Sequence, residues 1–148
     1  MPNWSQDLEG VRALVIGASS GIGEAVAVAA HARGARVCVA ARRVDRLKRL
    51  SKSVGGSAHE LDVSDPAAIE EVLRAVVTHL GGLDALVYTS AVVPFARIEE
   101  TDSTTWMNAF AVNAVGASHV MRAAAPYFAH DAVALVKLPR ATRPDVRG

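Results

Sequence analysis

The sequence predicts an α/β fold, a doubly wound parallel sheet of about five strands with helices on both faces. Three observations point there. Short β-branched runs alternate with longer helical stretches, the order imposed by a parallel sheet whose strands are joined by crossover helices. The first such run leads into Gly17-Ala18-Ser19-Ser20-Gly21-Ile22-Gly23, three glycines at the spacing G-x-x-x-G-x-G between a strand and a helix. The chain has 148 residues, 51% of them hydrophobic. That is enough for one compact unit burying roughly 68–70% of its unfolded surface.

The first strand is expected over 11–16, an apolar run. In the turn behind it, Gly17 supplies the tight bend, Gly21 lets backbone approach a ligand, and Gly23 lets helix and strand pack closely. The helix over 21–33 is rich in Ala and Val, and Gly34 follows as its C-terminal stop. A strand over 36–41 contains Cys38, the only cysteine, which excludes an internal disulfide and reads as a small buried residue. Next come a basic helix over 44–54 and a strand over 58–61. The helix over 66–80 is capped by Ser64 or Asp65, carries Pro66 in its first turn and ends at Gly81-Gly82. A strand over 85–89 opens into the longest connection, 90–101. The helix over 103–128 spreads Trp106, Phe110, Val112, Val115, Val120 and Met121 over most of its faces, so core and neighbour together are expected to bury it. The last strand, over 132–136, would be an apolar edge. Residues 137–148 hold four Arg or Lys and two Pro and read as a basic, disordered tail, leaving 1–136 as the domain.

Composition narrows the partners. A net charge of +1 with 21% charged residues is the profile of neither a disordered chain nor a basic nucleic-acid binder. No segment is long and apolar enough to span a bilayer, and the opening residues, with Asp7 and Glu9, do not read as a secretory signal. The expectation is a cytoplasmic protein without nucleic-acid or membrane partners. The five histidines show no metal-ligand spacing, so no metal is expected.

The glycine turn carries the chemistry. A helix N-terminus offers unpaired N–H groups and a partial positive charge, which suit a pyrophosphate. In that setting Gly17, Ser19, Ser20, Gly21, Ile22 and Gly23 are candidate ligands of a nicotinamide dinucleotide. The end of the second strand decides which one. An acidic residue there would bond a ribose 2′-hydroxyl, whereas Ala40-Ala41-Arg42-Arg43 offers guanidinium groups for a 2′-phosphate, so NADP(H) is preferred over NAD(H), with Arg42 as the leading residue. The same arginines also suit the start of a solvated basic helix with Arg46, Lys48 and Arg49.

With these motifs in order, residues 11 to about 126 resemble the short-chain dehydrogenase/reductase family. The resemblance implies a Rossmann-type sheet whose C-terminal strands are missing here. In the glycine motif Ile16 stands where a Thr is usual. Leu61-Asp62-Val63 is similar to the family's adenine-contacting segment, which implies Asp62 as partner of the adenine amino group and Val63 beside it. Asp84-Ala85-Leu86-Val87 looks like the opening of the family's D-x-L-V-N-N-A-G, but Tyr88-Thr89-Ser90-Ala91 replaces Asn-Asn-Ala-Gly, with Ser90 and Ala91 at the positions that line the cofactor. Val112-Asn113 with Gly116 is similar to the N-x-x-G segment whose Asn belongs to the catalytic tetrad. An isolated Asn on an Ala-rich helix serves equally as a structural residue. The family's long helix helps to form a dimer bundle, which implies a homo-oligomer.

Reduction of a carbonyl needs a proton donor as well as a hydride. In the resembled family a Tyr in Y-x-x-x-K, with a Lys that lowers its pKa, and a Ser supply it. Here Tyr88 is followed four residues on by Val92 and Tyr127 by Asp131, and Lys137-Leu138-Pro139-Arg140 stands where the Ser segment is expected. Of the tetrad only Asn113 can be placed. The expectation is therefore an oxidoreductase domain for an alcohol/carbonyl substrate, catalytically impaired as this chain and consistent with a truncated or frameshifted terminus. The alternative is a non-catalytic dinucleotide-binding or interaction subunit.

Overall fold

The computed structural model describes residues 7–137. The elements run β1 (Arg12–Ile16), α1 (Gly21–His31), β2 (Arg36–Ala41), α2 (Val44–Val54), β3 (Ala58–Glu60), α3 (Pro66–Leu80), β4 (Leu83–Tyr88), a 3₁₀ turn (Ile98–Glu100), α4 (Ser103–Phe110), a π-helical segment (Ala111–Gly116), α5 (Ala117–Ala124), a second 3₁₀ turn (Ala125–Tyr127) and β5 (Phe128–Val136). The five strands form one sheet in the order β3-β2-β1-β4-β5, and every pairing is parallel. This is the doubly wound Rossmann-type sheet that the alternation of runs predicts.

Strand residues alternate between two layers of core because successive side chains point to opposite faces. Leu14, Ile16, Cys38, Ala40, Leu86 and Tyr88 pack with α3 and α5. Ala13, Val15, Val37, Val39 and Ala41 pack with α1 and α2. Helix α3 shows how the sequence sets this up. Ile69, Val72, Leu73, Val76 and Leu80 recur at helical spacing and are all buried. Each such side chain contributes about 1.5–3 kcal/mol of burial. Of its two candidate caps, Asp65 is the one used, accepting from the backbone N–H groups of Ala67 and Ala68, and Gly81 ends the helix at φ 82°.

At the amino end of the sheet, Arg12 and Asp84 lock β1 to β4. Arg12 Nε and Nη2 donate to the two carboxylate oxygens of Asp84, both at 2.7 Å, and the Arg12 backbone N–H donates to one of them at 2.9 Å. The guanidinium holds the Asp84 carboxyl below the ordinary carboxylate range.

The single helix expected over 103–128 is corrected. Helix α4 stops at Phe110, six residues follow in π geometry, and α5 ends at Ala124. Pro126 accounts for the second break, since it has no N–H for the helix ladder and its ring clashes with the preceding turn. Phe128 belongs to β5. That strand starts four residues before the expected Ala132, with an irregularity: Leu83 pairs with Phe128, but Ala85 already pairs with Val133. Regular pairing therefore coincides with the apolar run that the sequence shows. β5 is the sheet edge, and Val133 and Leu135 are exposed. β3 ends at Glu60 rather than Leu61, and β4 covers Leu83–Tyr88 rather than 85–89. The basic tail expected over 137–148 lies, apart from Lys137, outside the described residues, as do residues 1–6. Among the described residues no helix is long and apolar enough to cross a membrane.

Candidate functional site

The strand order reverses at β1, which has β2 on one side and β4 on the other. In open α/β sheets the crevice at the carboxyl ends of strands flanking such a point is where ligands bind. A cavity of about 380 Å³ lies there, lined by Gly17 after β1, Ala41 to Arg43 at the end of β2, Leu61 to Val63 after β3, Thr89 to Ala91 after β4, and also Ser19, Ser20 and Val112. Every wall is a strand's carboxyl end or the turn beyond it, apart from Val112 in the π segment.

The glycine turn forms one wall. Gly17 has φ 85°, a conformation that side chains resist, and a Cβ there would stand 2.5 Å from the Ser90 backbone nitrogen. Gly23 has no positive φ, yet a Cβ would stand 2.5 Å from Thr89 Oγ1 and 2.6 Å from the Gly17 carbonyl oxygen. The glycines thus let α1 seat against the ends of β1 and β4. Ser20 is the N-cap of α1, but its hydroxyl makes no bond to the helix's amides. It accepts instead from Arg43 Nη2 at 2.6 Å, while Ser19 Oγ accepts from Arg43 Nε at 3.1 Å.

Arg42 makes no hydrogen bond among the described residues, and its charge is felt at Asp62. The Asp62 carboxyl lies below its ordinary range, chiefly because Oδ1 accepts from the Ser64 hydroxyl at 2.7 Å and the Ser64 N–H at 2.9 Å, with Arg42 adding attraction. Asp62 is therefore ionised at neutral pH, with Oδ2 unengaged among the described residues.

The structure brings Gly17, Ser19, Ser20, Arg42, Asp62, Val63, Ser90 and Ala91 onto one cavity. Gly21, Ile22 and Gly23 are not on its lining; they form the first turn of α1. Asn113 is also off the lining. Its Nδ2 donates to the Val92 carbonyl and its Oδ1 accepts from the Val92 N–H, both at 2.8 Å. Sequence reasoning ranked Arg43 below Arg42 and passed over Thr89 and Val112. Arg43 had a readable signal in the two serines of the glycine turn, which parallel pairing of β1 and β2 brings opposite it. Val112 had none, because it reaches the cavity only through the break in the helix.

A doubly wound sheet with a glycine turn and a cavity at the switch point defines a dinucleotide-binding class of α/β protein. Residues 12–136 match the family model for short chain dehydrogenase, and the chain belongs to that family of Rossmann-type NAD(P)-binding oxidoreductases. It is similar to a glycine betaine reductase of Emericella nidulans, 35% identical over 124 residues that cover 80% of this chain and 10% of that protein. It is also similar to a D-threitol dehydrogenase of Mycolicibacterium smegmatis, 35% identical over 114 residues, 74% of this chain and 44% of that one. Among solved structures, a short chain dehydrogenase from Burkholderia cenocepacia in complex with NADP superposes with a TM-score of 0.79 at 27% identity, covering 83% of this chain and 53% of the other. The chain spans about half, or less, of the length of these proteins.

Proposed function

We propose that this chain binds NADP(H) in preference to NAD(H) in the cavity at the switch point. In the family's reaction a nicotinamide cofactor supplies or accepts the hydride for an alcohol/carbonyl pair. The observation that carries the reading is the pair Arg42 and Arg43 on the cavity wall, with Arg43 steadied by two serine hydroxyls of the glycine turn. Two guanidinium groups at this strand end suit a 2′-phosphate, and the bound NADP of the Burkholderia relative agrees with it.

The residues present fit the group. The amides of the first turn of α1 carry no bond from the Ser20 side chain and suit a pyrophosphate, and at Gly21 a Cβ would meet nothing within 4 Å, so backbone there is open to approach. Asp62, ionised and with Oδ2 unengaged among the described residues, would accept from the adenine amino group, with Val63 beside it. Ser90 and Ala91, after the end of β4, would border the nicotinamide half. Gly23 and Ile22 act by holding the turn. Asn113 belongs here as a residue that shapes the wall.

Residues 1–148 contain no Tyr-x-x-x-Lys, since Val92 and Asp131 follow Tyr88 and Tyr127 at the fourth position. We therefore assign cofactor binding to these residues and no proton donor for a substrate, so that the chain by itself binds without turnover. The same observation favours a second reading, a non-catalytic dinucleotide-binding or interaction subunit. Trp106, Met107, Phe110 and Val115 expose apolar surface along α4 and the π segment, which supports self-association.

Fluorescence titration with NADPH and NADH tests the binding, with NADPH expected to bind at least about tenfold tighter. Equal affinities would remove the preference, and no affinity for either would remove the reading. Turnover with ketones or aldehydes by the purified chain would refute the missing proton donor.

A further inference from the structure

Tyr88 ends β4 where the cavity begins, at the position where Asn is usual in the family. It is 1% exposed, and its hydroxyl donates to the Val112 carbonyl at 2.5 Å. Val112 lies in the π-helical segment Ala111–Gly116 and lines the cavity. One residue on, Asn113 makes its two bonds to the backbone of Val92. Val92 follows Ser90 and Ala91, the wall at the end of β4. Gly116 completes the arrangement: a Cβ there would stand 2.8 Å from the Val63 carbonyl oxygen and 3.1 Å from the Tyr88 hydroxyl. The π segment is thus wedged between two cavity walls, and a side chain at Gly116 would lever it away from both.

A π turn interrupts an α-helix and is kept where other contacts offset its poorer hydrogen bonding. Here the offsetting contact is a buried phenol bonded to a carbonyl inside the turn. Burial, with the Asp62 charge adding to it, pushes the Tyr88 phenol up to about 12, so the hydroxyl keeps its proton and donates throughout the neutral range.

We propose that Tyr88 is a positioning residue for the cavity. Through Val112 it sets the π turn, through that turn it aims Asn113 at Val92, and through Val92 it fixes the Ser90–Ala91 wall. The hydrogen-bond relay stands on its own geometry. Its consequence for a ligand rests on the dinucleotide reading above. A residue that merely filled the core would weaken the whole fold evenly, whereas this relay runs through Val112, Asn113 and Val92 and makes no hydrogen bond to Arg42 or Asp62.

The test compares Tyr88→Phe and Asn113→Ala with the unaltered chain by amide exchange and by titration with NADPH and with 2′,5′-ADP. In Tyr88→Phe the Val92 amide is expected to exchange about tenfold faster, with protection in β1 and β2 retained, and NADPH to bind about tenfold more weakly. The affinity for 2′,5′-ADP, which reaches only the adenine end, should change by less than about twofold. Asn113→Ala should act likewise, and the double variant should be no worse than either single one. Should Tyr88→Phe not fold, Asn113→Ala alone, which leaves the phenol in place and removes both bonds to Val92, decides the same selective loss. Unchanged Val92 exchange, or an equal loss of NADPH and 2′,5′-ADP, would overturn the proposal. If the unaltered chain binds neither ligand, the dinucleotide reading fails and the ligand consequence with it, while Val92 exchange still decides the relay.

Discussion

Replacing Gly23 by Ala sets helix propensity against packing. Gly23 lies inside α1 without a positive φ. By propensity alone, Ala would favour the helix by about 1 kcal/mol. The surroundings oppose it, because the new Cβ would stand 2.5 Å from Thr89 Oγ1 and 2.6 Å from the Gly17 carbonyl oxygen. Neither neighbour yields easily. The Gly17 N–H is bonded to the Ala40 carbonyl at 2.8 Å, and Thr89 Oγ1 donates to the Ile16 carbonyl at 2.9 Å. Ordinary contact therefore requires α1 to move off the turn by about 0.8 Å, and overpacking of this kind costs about 1–3 kcal/mol. With the propensity gain subtracted and the rigid neighbours placing the clash near the top of that range, the net loss is about 1–2 kcal/mol. Urea unfolding reads this as a lower midpoint at unchanged slope. Because the shift moves the amides of the first turn, NADPH affinity should fall as well. Adding Thr89→Ala removes the nearest of the close atoms but leaves the Gly17 carbonyl, and should recover only part of the stability. A Gly23→Ala chain as stable as the parent, with the same NADPH affinity, would refute the packing argument and the role of this glycine.

Two further outcomes follow from the charged side chains. Arg42→Ala should weaken NADPH binding by about 1.5–3 kcal/mol, the worth of a hydrogen bond to a charged group, and leave NADH unchanged; equal NADPH affinity by calorimetry would count against the 2′-phosphate assignment. Asp84→Asn should destabilise the fold at neutral pH by about 1–2 kcal/mol, a charged two-pronged bond discounted for partial exposure. Since Arg12 lowers the folded-state pKa of Asp84 below 3.8, this contribution is complete above that value and is lost as pH falls through the folded one. The gap between the two chains should therefore begin to narrow as pH falls below about 4 and close below the folded-state pKa, and a gap that persisted or widened throughout acid would contradict the pairing.

What the sequence made legible is local. The alternation of runs sets a parallel doubly wound sheet, and the three glycines, the Asp65 cap and the Gly81 stop each act within a few residues of themselves. What it hid depends on distant partners. The break after Phe110 rests on a phenol 24 residues away in sequence and on the Val63 carbonyl, neither visible in the periodicity of 103–128. The break at Pro126 is readable in the sequence, since proline lacks the N–H that the helix ladder needs. Asn113 was legible as a motif position, but its two bonds to Val92 were not, because the loop that presents Val92 has no regular pattern of its own.

The family's Asn-Asn-Ala-Gly, replaced here by Tyr88-Thr89-Ser90-Ala91, reads from the sequence as a weakened lining. The structure gives the replacements work to do. Thr89 returns its hydroxyl to the Ile16 carbonyl and packs against Gly17 and Gly23, joining the glycine turn to the end of β4. Tyr88 reaches the other way, to Val112. The two adjacent residues therefore tie the end of β4 to two walls of one cavity, Thr89 to the glycine turn and Tyr88 to the π segment that carries Asn113.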